Sequence, residues 1–490
     1  MNNLILLVLR KLGLPPNISK CLGTLWDTAV HLIKTCYGTS SITYTSTSDK
    51  PLYGPGQGSM CGPLFWLLCY WLIVESIDPS ITVAKYVSAC RSILVSITGV
   101  SFVDDTGLGV IFVYQWNEDL PHVENHRLEI LHVIKNLHKL SQHWERLLFS
   151  TGGALNLQKS FWYLFSWHWK QGKPTFATVR SAPTTLCLTS GYNTTPEQLP
   201  RLDPSQSFKT LGVYISPSGS QQKQAEILHN YAQEYHDQLC TAVLYPSEAY
   251  LSDIAYLHPK LTHPLPCTTL TPEQCRHIQA PALAALLPKL HLNHHSPRSV
   301  LFASPPYGGI GLPDITDSQG LGQLLLFVGH LQLRDENGLL ILSLLSHMQV
   351  LLGSSKLMFQ LPYQHYKKWI NRNWLTAIWE YFASAQIQVD IEDHWIPQPA
   401  PTNDFFLIDL AVRLNFSMDQ LPQINLCRIY IQVLTASDIA TANGREILPN
   451  IVQGIRTADR PSSLLWPTSF RPQQWGPWQS FLQHFCTGPR

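Results

Sequence analysis

The stretch whose reading decides the fold runs Ile93-Leu94-Val95-Ser96-Ile97-Thr98-Gly99-Val100-Ser101-Phe102-Val103-Asp104-Asp105-Thr106-Gly107-Leu108-Gly109-Val110-Ile111. β-Branched residues on both sides of Asp104-Asp105 favour extended backbone. Residues 93–103 and 107–113 are therefore expected to pair as a hairpin with the two carboxylates at its tip. Adjacent carboxylates on an apolar hairpin repel unless a cation binds there, and oxygen donors suit a hard divalent ion. The competing reading is a plain turn, because Asp tolerates turn geometry. The hairpin alone does not separate the two.

Its neighbours bear on the choice. Upstream, Tyr53-Gly54-Pro55-Gly56-Gln57-Gly58-Ser59 leads into Pro63-Leu64-Phe65-Trp66-Leu67-Leu68. Downstream come Thr151-Gly152-Gly153-Ala154-Leu155-Asn156-Leu157-Gln158-Lys159 and then Lys209-Thr210-Leu211-Gly212-Val213. In this order the four blocks resemble the palm of reverse transcriptases, over roughly residues 1–215. Pro306-Tyr307-Gly308-Gly309-Ile310-Gly311-Leu312, followed by Gln319-Gly320-Leu321, resembles the double-glycine block after the thumb in non-LTR (LINE-like) retroelement polymerases.

The resemblance implies an α/β palm over 1–215, an antiparallel sheet with packed helices. It implies a mostly helical thumb over 216–300, a helical post-thumb region over 301–396, and a C-terminal region of unknown role over 397–490. The activity implied is RNA-directed DNA polymerisation. A primer 3′-hydroxyl would attack the α-phosphorus of a deoxynucleotide on an RNA template, with Mg²⁺ or Mn²⁺ as cofactor. Asp104 and Asp105 would be the metal ligands, and Lys159 a general acid near the nucleotide phosphates. Gly56, Gln57, Gly58 and Ser59, with Phe102, Lys209 and Gly212, would touch nucleotide or template. Arg201, Lys209 and Lys223 would face an RNA–DNA duplex where palm meets thumb. Read without the family, Gly54–Ser59 is a Gly-Pro turn with a capping Ser, and Lys159 is a surface lysine before a strand.

One part of the family pattern has no counterpart. The third carboxylate belongs on a strand ahead of the helix at Leu4–Leu12, and the fingers are also missing. Asp27 falls inside a helical run, and Asp49 and Asp78 sit in turn-like contexts. The expectation is the rear half of a polymerase, inactive alone. The alternative is a non-catalytic nucleic-acid-binding or interaction protein on the same scaffold.

Composition sets the outer bounds. The chain has 490 residues, 45% hydrophobic and 14% charged, enough for several packed domains. A net charge of +1 argues mildly against a general nucleic-acid-binding surface. The 11 cysteines lack the close pairs that zinc sites use, so Cys267, Cys275 and the nearby His277, His291, His294 and His295 read as packed thiols and exposed imidazoles. Leu4–Leu9 runs straight into Arg10-Lys11, unlike a secretory leader, and Pro63–Val74 is too short to span a bilayer. An intracellular protein with reduced thiols is expected, with no membrane segment.

Periodicity supplies the rest. Ile18, Leu22, Leu25, Ala29 and Ile33 mark a helix over 17–36, and Ser40–Thr47 reads as extended. Pro63–Val74 reads as a buried helix, and Glu124–Phe149 as a long amphipathic helix ended by Gly152-Gly153. Lys159 is placed on a short extended segment, and Phe161–Trp169 on one apolar strand. Ser218–Tyr245 and Thr271–Leu287 read as thumb helices, the second stopped at Pro288.

Overall fold

The computed structural model describes residues 2–36, 38–45, 47, 62–77, 83–102, 105–112, 117–170, 173–392, 395–398, 401–456, 463–467, 469 and 471–487. They divide into two compact units: Met1–Lys85, Ser96–Trp169 and Pro174–Asp203, against Tyr86–Val95, Lys170–Lys173 and Pro204–Arg490.

In chain order the first half carries α1 (Asn2–Lys11), α2 (Pro16–Thr28), β1 (Val30–Thr35), β2 (Gly38–Thr45) and α3 (Gly62–Glu75). Then come β3 (Ala84–Val87), β4 (Leu94–Ile97), β5 (Gly99–Phe102), β6 (Asp105–Leu108) and α4 (His122–Ser150). The short strands β7 (Trp162–Tyr163), β8 (Trp167–Lys170), β9 (Lys173–Phe176), β10 (Leu186–Leu188), β11 (Glu197–Leu199) and β12 (Arg201–Leu202) follow. Among the described residues these strands form two-stranded ribbons rather than one sheet. The chain is a mixed α/β protein whose small sheets are mainly antiparallel.

Several expectations change here. The helix expected over 17–36 stops at Thr28, and β1 pairs antiparallel with β2. Val30-His31-Leu32-Ile33 matches helical spacing only at Ile33, and its β-branched ends suit a strand. The strand expected over 93–103 breaks at Thr98: β4 pairs with β3, and β5 pairs with β6. Gly99 permits the break, since a Cβ there would lie 2.7 Å from the Gly107 carbonyl oxygen. The helix α3 is only half buried. Phe65, Cys69 and Ile73 form its covered stripe at four-residue spacing, while Leu64, Leu67 and Trp71 are exposed.

Two small cores hold this unit. Ile5 packs with Phe65 and Cys69, flanked by Leu4, Leu9 and Trp26. The second core joins Ile130 of α4 to Leu157, Trp162, Leu164, Leu186, Leu188 and Leu199. Three polar residues near the C-terminus of α4 grip the loop after β10. Gln142 accepts the Thr189 amide at 2.9 Å, buried Glu145 accepts the Gly191 amide at 2.6 Å, and Arg146 donates to the Gly191 carbonyl at 3.1 Å. Thr151 then caps the helix and Gly152 turns the chain at φ +89.

The second unit opens with the ribbon β13 (Phe208–Thr210) and β14 (Val213–Ile215). Its helices begin with α5 (Gln222–Thr241), α6 (Pro246–Ser252), α7 (His258–Thr262), α8 (Pro272–Lys289) and α9 (Arg298–Phe302). They continue with α10 (Ile315–Leu333), α11 (Glu336–Leu352), α12 (Tyr363–Tyr366) and α13 (Trp374–Ala385). The last are α14 (Leu407–Arg413), α15 (Gln420–Ile431), α16 (Ala436–Ile439), α17 (Pro449–Val452) and α18 (Gly476–Thr487). The helical character expected of the C-terminal region is present. Leu228, Ala232, Tyr235 and Leu239 of α5 share a core with Ile278, Ala282 and Leu286 of α8. A Thr271–Gln274 capping box starts α8, which runs through Pro281 and past the expected stop at Pro288 to Lys289. A larger core gathers Phe327, Phe382 and Trp379 with Trp478 and Phe481, so the tryptophan-rich tail is docked by α18. The segment 86–95 also belongs to this unit: Ser346 of α11 accepts the Ala89 amide at 2.8 Å, and His347 meets the Val87 carbonyl at 2.8 Å. No helix among the described residues is long and apolar enough to cross a membrane.

A five-residue π turn, Asp253–Leu257, joins α6 to α7 and buries Asp253. Desolvation pushes its carboxyl up to about 6. The unfolded chain ionises near the ordinary value of 3.8. Between these values the folded state therefore holds more protons, and stability falls as pH rises. Asp253→Asn removes the penalty. It is expected to stabilise the protein by about 2–3 kcal/mol at pH 7 and to bring no gain below about pH 4. Urea unfolding of parent and variant at both pH values checks this; a gain independent of pH would contradict the assignment.

Candidate active-site hairpin

The hairpin around the Asp pair is built by β5 and β6. They pair antiparallel in the register Gly99↔Leu108, Val100↔Gly107, Ser101↔Thr106 and Phe102↔Asp105. Positions 100, 102, 105 and 107 thus share one face of the ribbon. Val100, Asp105 and Gly107 are exposed on it. The other face is tied by a 2.9 Å hydrogen bond between the Ser101 and Thr106 hydroxyls, and Ser101 also donates to the Asp105 carbonyl at 3.2 Å. Asp105 therefore opens β6 beside the loop, with its carboxylate on the exposed face. Val103 and Asp104 lie outside the described residues, as do Gly56, Gln57, Gly58 and Ser59. Phe102 closes β5 at the register position facing Asp105.

Lys159 lies in a turn rather than on the extended segment expected for it. The Asn156 side chain accepts the Lys159 amide at 3.3 Å, and Ser160 donates to the Asn156 carbonyl at 2.8 Å. The asparagine of the glycine-x-x-asparagine-x-x-lysine block thus shapes the turn that carries the lysine, as Asn side chains commonly do. The Lys159 side chain is exposed.

Lys209 and Gly212 lie in the second unit. Lys209 is exposed on β13, opposite Tyr214. Leu211 and Gly212 are not strand residues. They form a two-residue loop with φ of +51 and +86, the pattern of type I′ hairpins. Leucine is disfavoured at such a φ. The Leu211 carbonyl is held by the His263 imidazole at 2.9 Å, and a Cβ on Gly212 would meet the same ring at 3.2 Å. His263 is a partner that the sequence reading missed.

Arg201 and Lys223, expected to face a duplex, each have a partner within the chain. The Arg201 guanidinium lies 5.4 Å from the centre of the Trp162 ring and donates to the Ala182 carbonyl and, at 2.7 Å, to the Thr184 hydroxyl. Burial pulls its pKa below the usual value, and Asp203 opposes the shift. It is a tie within the first unit. Lys223 pairs with Glu226 at 3.1 Å.

The double-glycine block follows α9 and a 3₁₀ turn at Pro305–Tyr307. Ile310, Gly311 and Leu312 donate their amides back to Val300, Ala303 and Leu301. Gln319 fills a buried polar gap, accepting from the Thr268 hydroxyl at 2.8 Å and donating to the Leu270 carbonyl at 3.0 Å. Gly320 lets Tyr381 approach where a Cβ would sit 2.2 Å from its ring.

Among the described residues, no three His, Cys, Asp or Glu side chains stand close enough to hold a metal ion. Cys275 is packed as expected, whereas Cys267 is exposed. No protein-family model matches the chain, and no curated protein matches it either.

Proposed function

We propose that the chain derives from an RNA-directed DNA polymerase of the non-LTR retroelement type. The β5–β6 hairpin would be its catalytic hairpin, and the helices from α5 onward its thumb and post-thumb region. The observation that carries this reading is the register Phe102↔Asp105, which puts an exposed carboxylate at the end of a tight ribbon. Exposed carboxylate oxygen suits Mg²⁺ or Mn²⁺, and Asp104 with Asp105 would hold the ion. Bound there, it would neutralise charge on the phosphoryl oxygens. Lys159, exposed on its asparagine-shaped turn, would place a proton donor near the leaving pyrophosphate. The partners would be an RNA template, a DNA primer and deoxynucleotides.

The second reading is a non-catalytic nucleic-acid-binding or interaction protein on this scaffold. The near-zero net charge of +1 favours it, since a polymerase's duplex cleft calls for basic surface. Two measurements separate the readings. Titration calorimetry with Mn²⁺ is expected to give a dissociation constant on the order of millimolar, weakened in Asp104→Asn/Asp105→Asn. Equal binding by parent and double variant would remove these residues from the metal site. In primer extension on an RNA template these 490 residues are expected to give no product. Extension that Asp105→Asn abolishes would show that some other carboxylate completes the site.

A further inference from the structure

Residues 161–169 were expected to form one apolar strand in the core. The structure instead has two short strands joined by an irregular step, with burial that alternates throughout. Trp162, Leu164 and Ser166 are buried, whereas Phe161, Phe165, Trp167 and Trp169 are 38–59% exposed. The even positions root the segment: Trp162 and Leu164 sit in the α4 core, and the Ser166 carbonyl accepts the Ala177 amide at 2.8 Å. The odd positions form a row of rings. Centroids lie 5.8 Å apart for Phe161–Tyr163 and 6.2 Å for Tyr163–Phe165. Phe176 extends the row, 6.2 Å from Phe165 and stacked on Trp167 at 3.9 Å.

Along the sequence the charge of this segment is one-sided, although Asp203 reaches it by accepting the Val179 amide at 2.6 Å. No Asp or Glu occurs between Glu145 and Glu197, whereas Arg146, Lys159, Lys170, Lys173 and Arg180 all do. An even spread of 33 acids over 490 residues would put about three in that interval (33 × 51/490). Lys159, two residues before Phe161, and Arg180, four residues after Phe176, both have exposed side chains. In a chain of net charge +1 this local excess marks a surface suited to a polyanion.

We propose that this aromatic face binds single-stranded nucleic acid by stacking bases on Phe165, Trp167 and Phe176, with Lys159 and Arg180 meeting the backbone. Every base has a π-face, so a fixed row of rings with flanking cations takes a single strand without sequence preference. A duplex keeps its base faces covered. A second copy of this chain would bring like charge against like. The rings lie within residues 161–176, outside the β5–β6 hairpin, and only Lys159 is shared with the catalytic reading, so the ring variants test this inference apart from it.

Fluorescence anisotropy of the full chain tests it, with labelled oligothymidylate and oligouridylate of about 15 nucleotides, within the ~4–16 nucleotides that single-strand modules cover. Binding is expected to both probes, tighter than to a duplex of the same length. Phe165→Ala and Trp167→Ala should each weaken it about tenfold. Phe165→Leu/Trp167→Leu, which keeps the apolar surface but not the stacking, should weaken it as the alanine pair does. With two or three phosphate contacts the log–log salt slope should be roughly −1.5 to −2. The proposal is overturned if the parent does not bind, if the leucine pair binds like the parent, or if duplex competes as well as single strand. Concentration-dependent dimerisation that the ring variants abolish would equally reject it, in favour of a self-association face.

Discussion

Arg428→Ala is expected to destabilise the second unit by about 3–5 kcal/mol, the range for breaking a buried charged network. Arg428 is fully buried on α15. Its guanidinium donates to the carbonyls of Val350 at 2.7 Å and Leu351 at 2.9 Å, at the C-terminus of α11. It donates as well to the Val433 carbonyl at 3.3 Å and the Asn425 side chain at 2.8 Å. Helix ends leave carbonyls without partners, and a cation there also meets the negative end of the helix dipole. Burial drives the guanidinium down to about 9, with Asp438 opposing, so it stays charged at neutral pH. Gly353 is fitted to it: φ is +65, and a Cβ would lie 2.6 Å from the Arg428 Cζ. Arg428→Lys keeps the charge but, with one nitrogen in place of three, cannot meet the α11 carbonyls, the Val433 carbonyl and the Asn425 side chain together, and should recover less than half of the loss. Arg428→Met keeps the volume and leaves the carbonyls bare. Denaturant unfolding of the three variants ranks them, and alanine equal to the parent would mean that water replaces the guanidinium at no cost.

These features differ in how far the sequence displayed them. The helix α4 was legible because Leu128, Leu131, Ile134 and Leu137 recur at helical spacing over a long run. The β5–β6 hairpin was legible because β-branched residues flank the Asp pair. The break at Thr98 was not, since it depends on which ribbon each half joins. The aromatic face was hidden because both faces of residues 161–169 carry large apolar side chains, so hydropathy does not alternate although burial does. Leu211 at positive φ violates local preference, and only the contact with His263 explains its place. Arg428 resembled any helical arginine; two of its partners, the Val350 and Leu351 carbonyls, lie far away in sequence, on α11. The order of the motif blocks was read from the sequence, but the local work of Asn156, Gln319 and Gly320 needed coordinates.

Gly309→Ala is expected to cost more than about 3 kcal/mol, beyond the usual range for overpacking. A Cβ at Gly309 would lie 2.0 Å from the Ala303 carbonyl oxygen and 2.3 Å from its carbon, both backbone atoms that no rotamer change can move. That carbonyl accepts the Gly311 amide at 2.9 Å, so relieving the clash breaks the bond that folds the loop back on α9. The neighbouring Gly308 is the control. Its φ of +80 needs a left-handed residue, but nothing lies within 4 Å of its missing Cβ. Gly308→Ala should therefore cost only about 1–2 kcal/mol of backbone strain, and Gly308→Asn less, because Asn tolerates that conformation. Two adjacent glycines thus answer to different physics, one to steric exclusion and one to a dihedral angle. Thermal and urea unfolding of these three variants and Gly309→Asn separates the causes. If Gly308→Ala and Gly309→Ala cost the same, the block would be a flexible loop rather than a packed one. Rescue of Gly308 alone by asparagine would confirm that Gly309 is needed for the space it leaves empty.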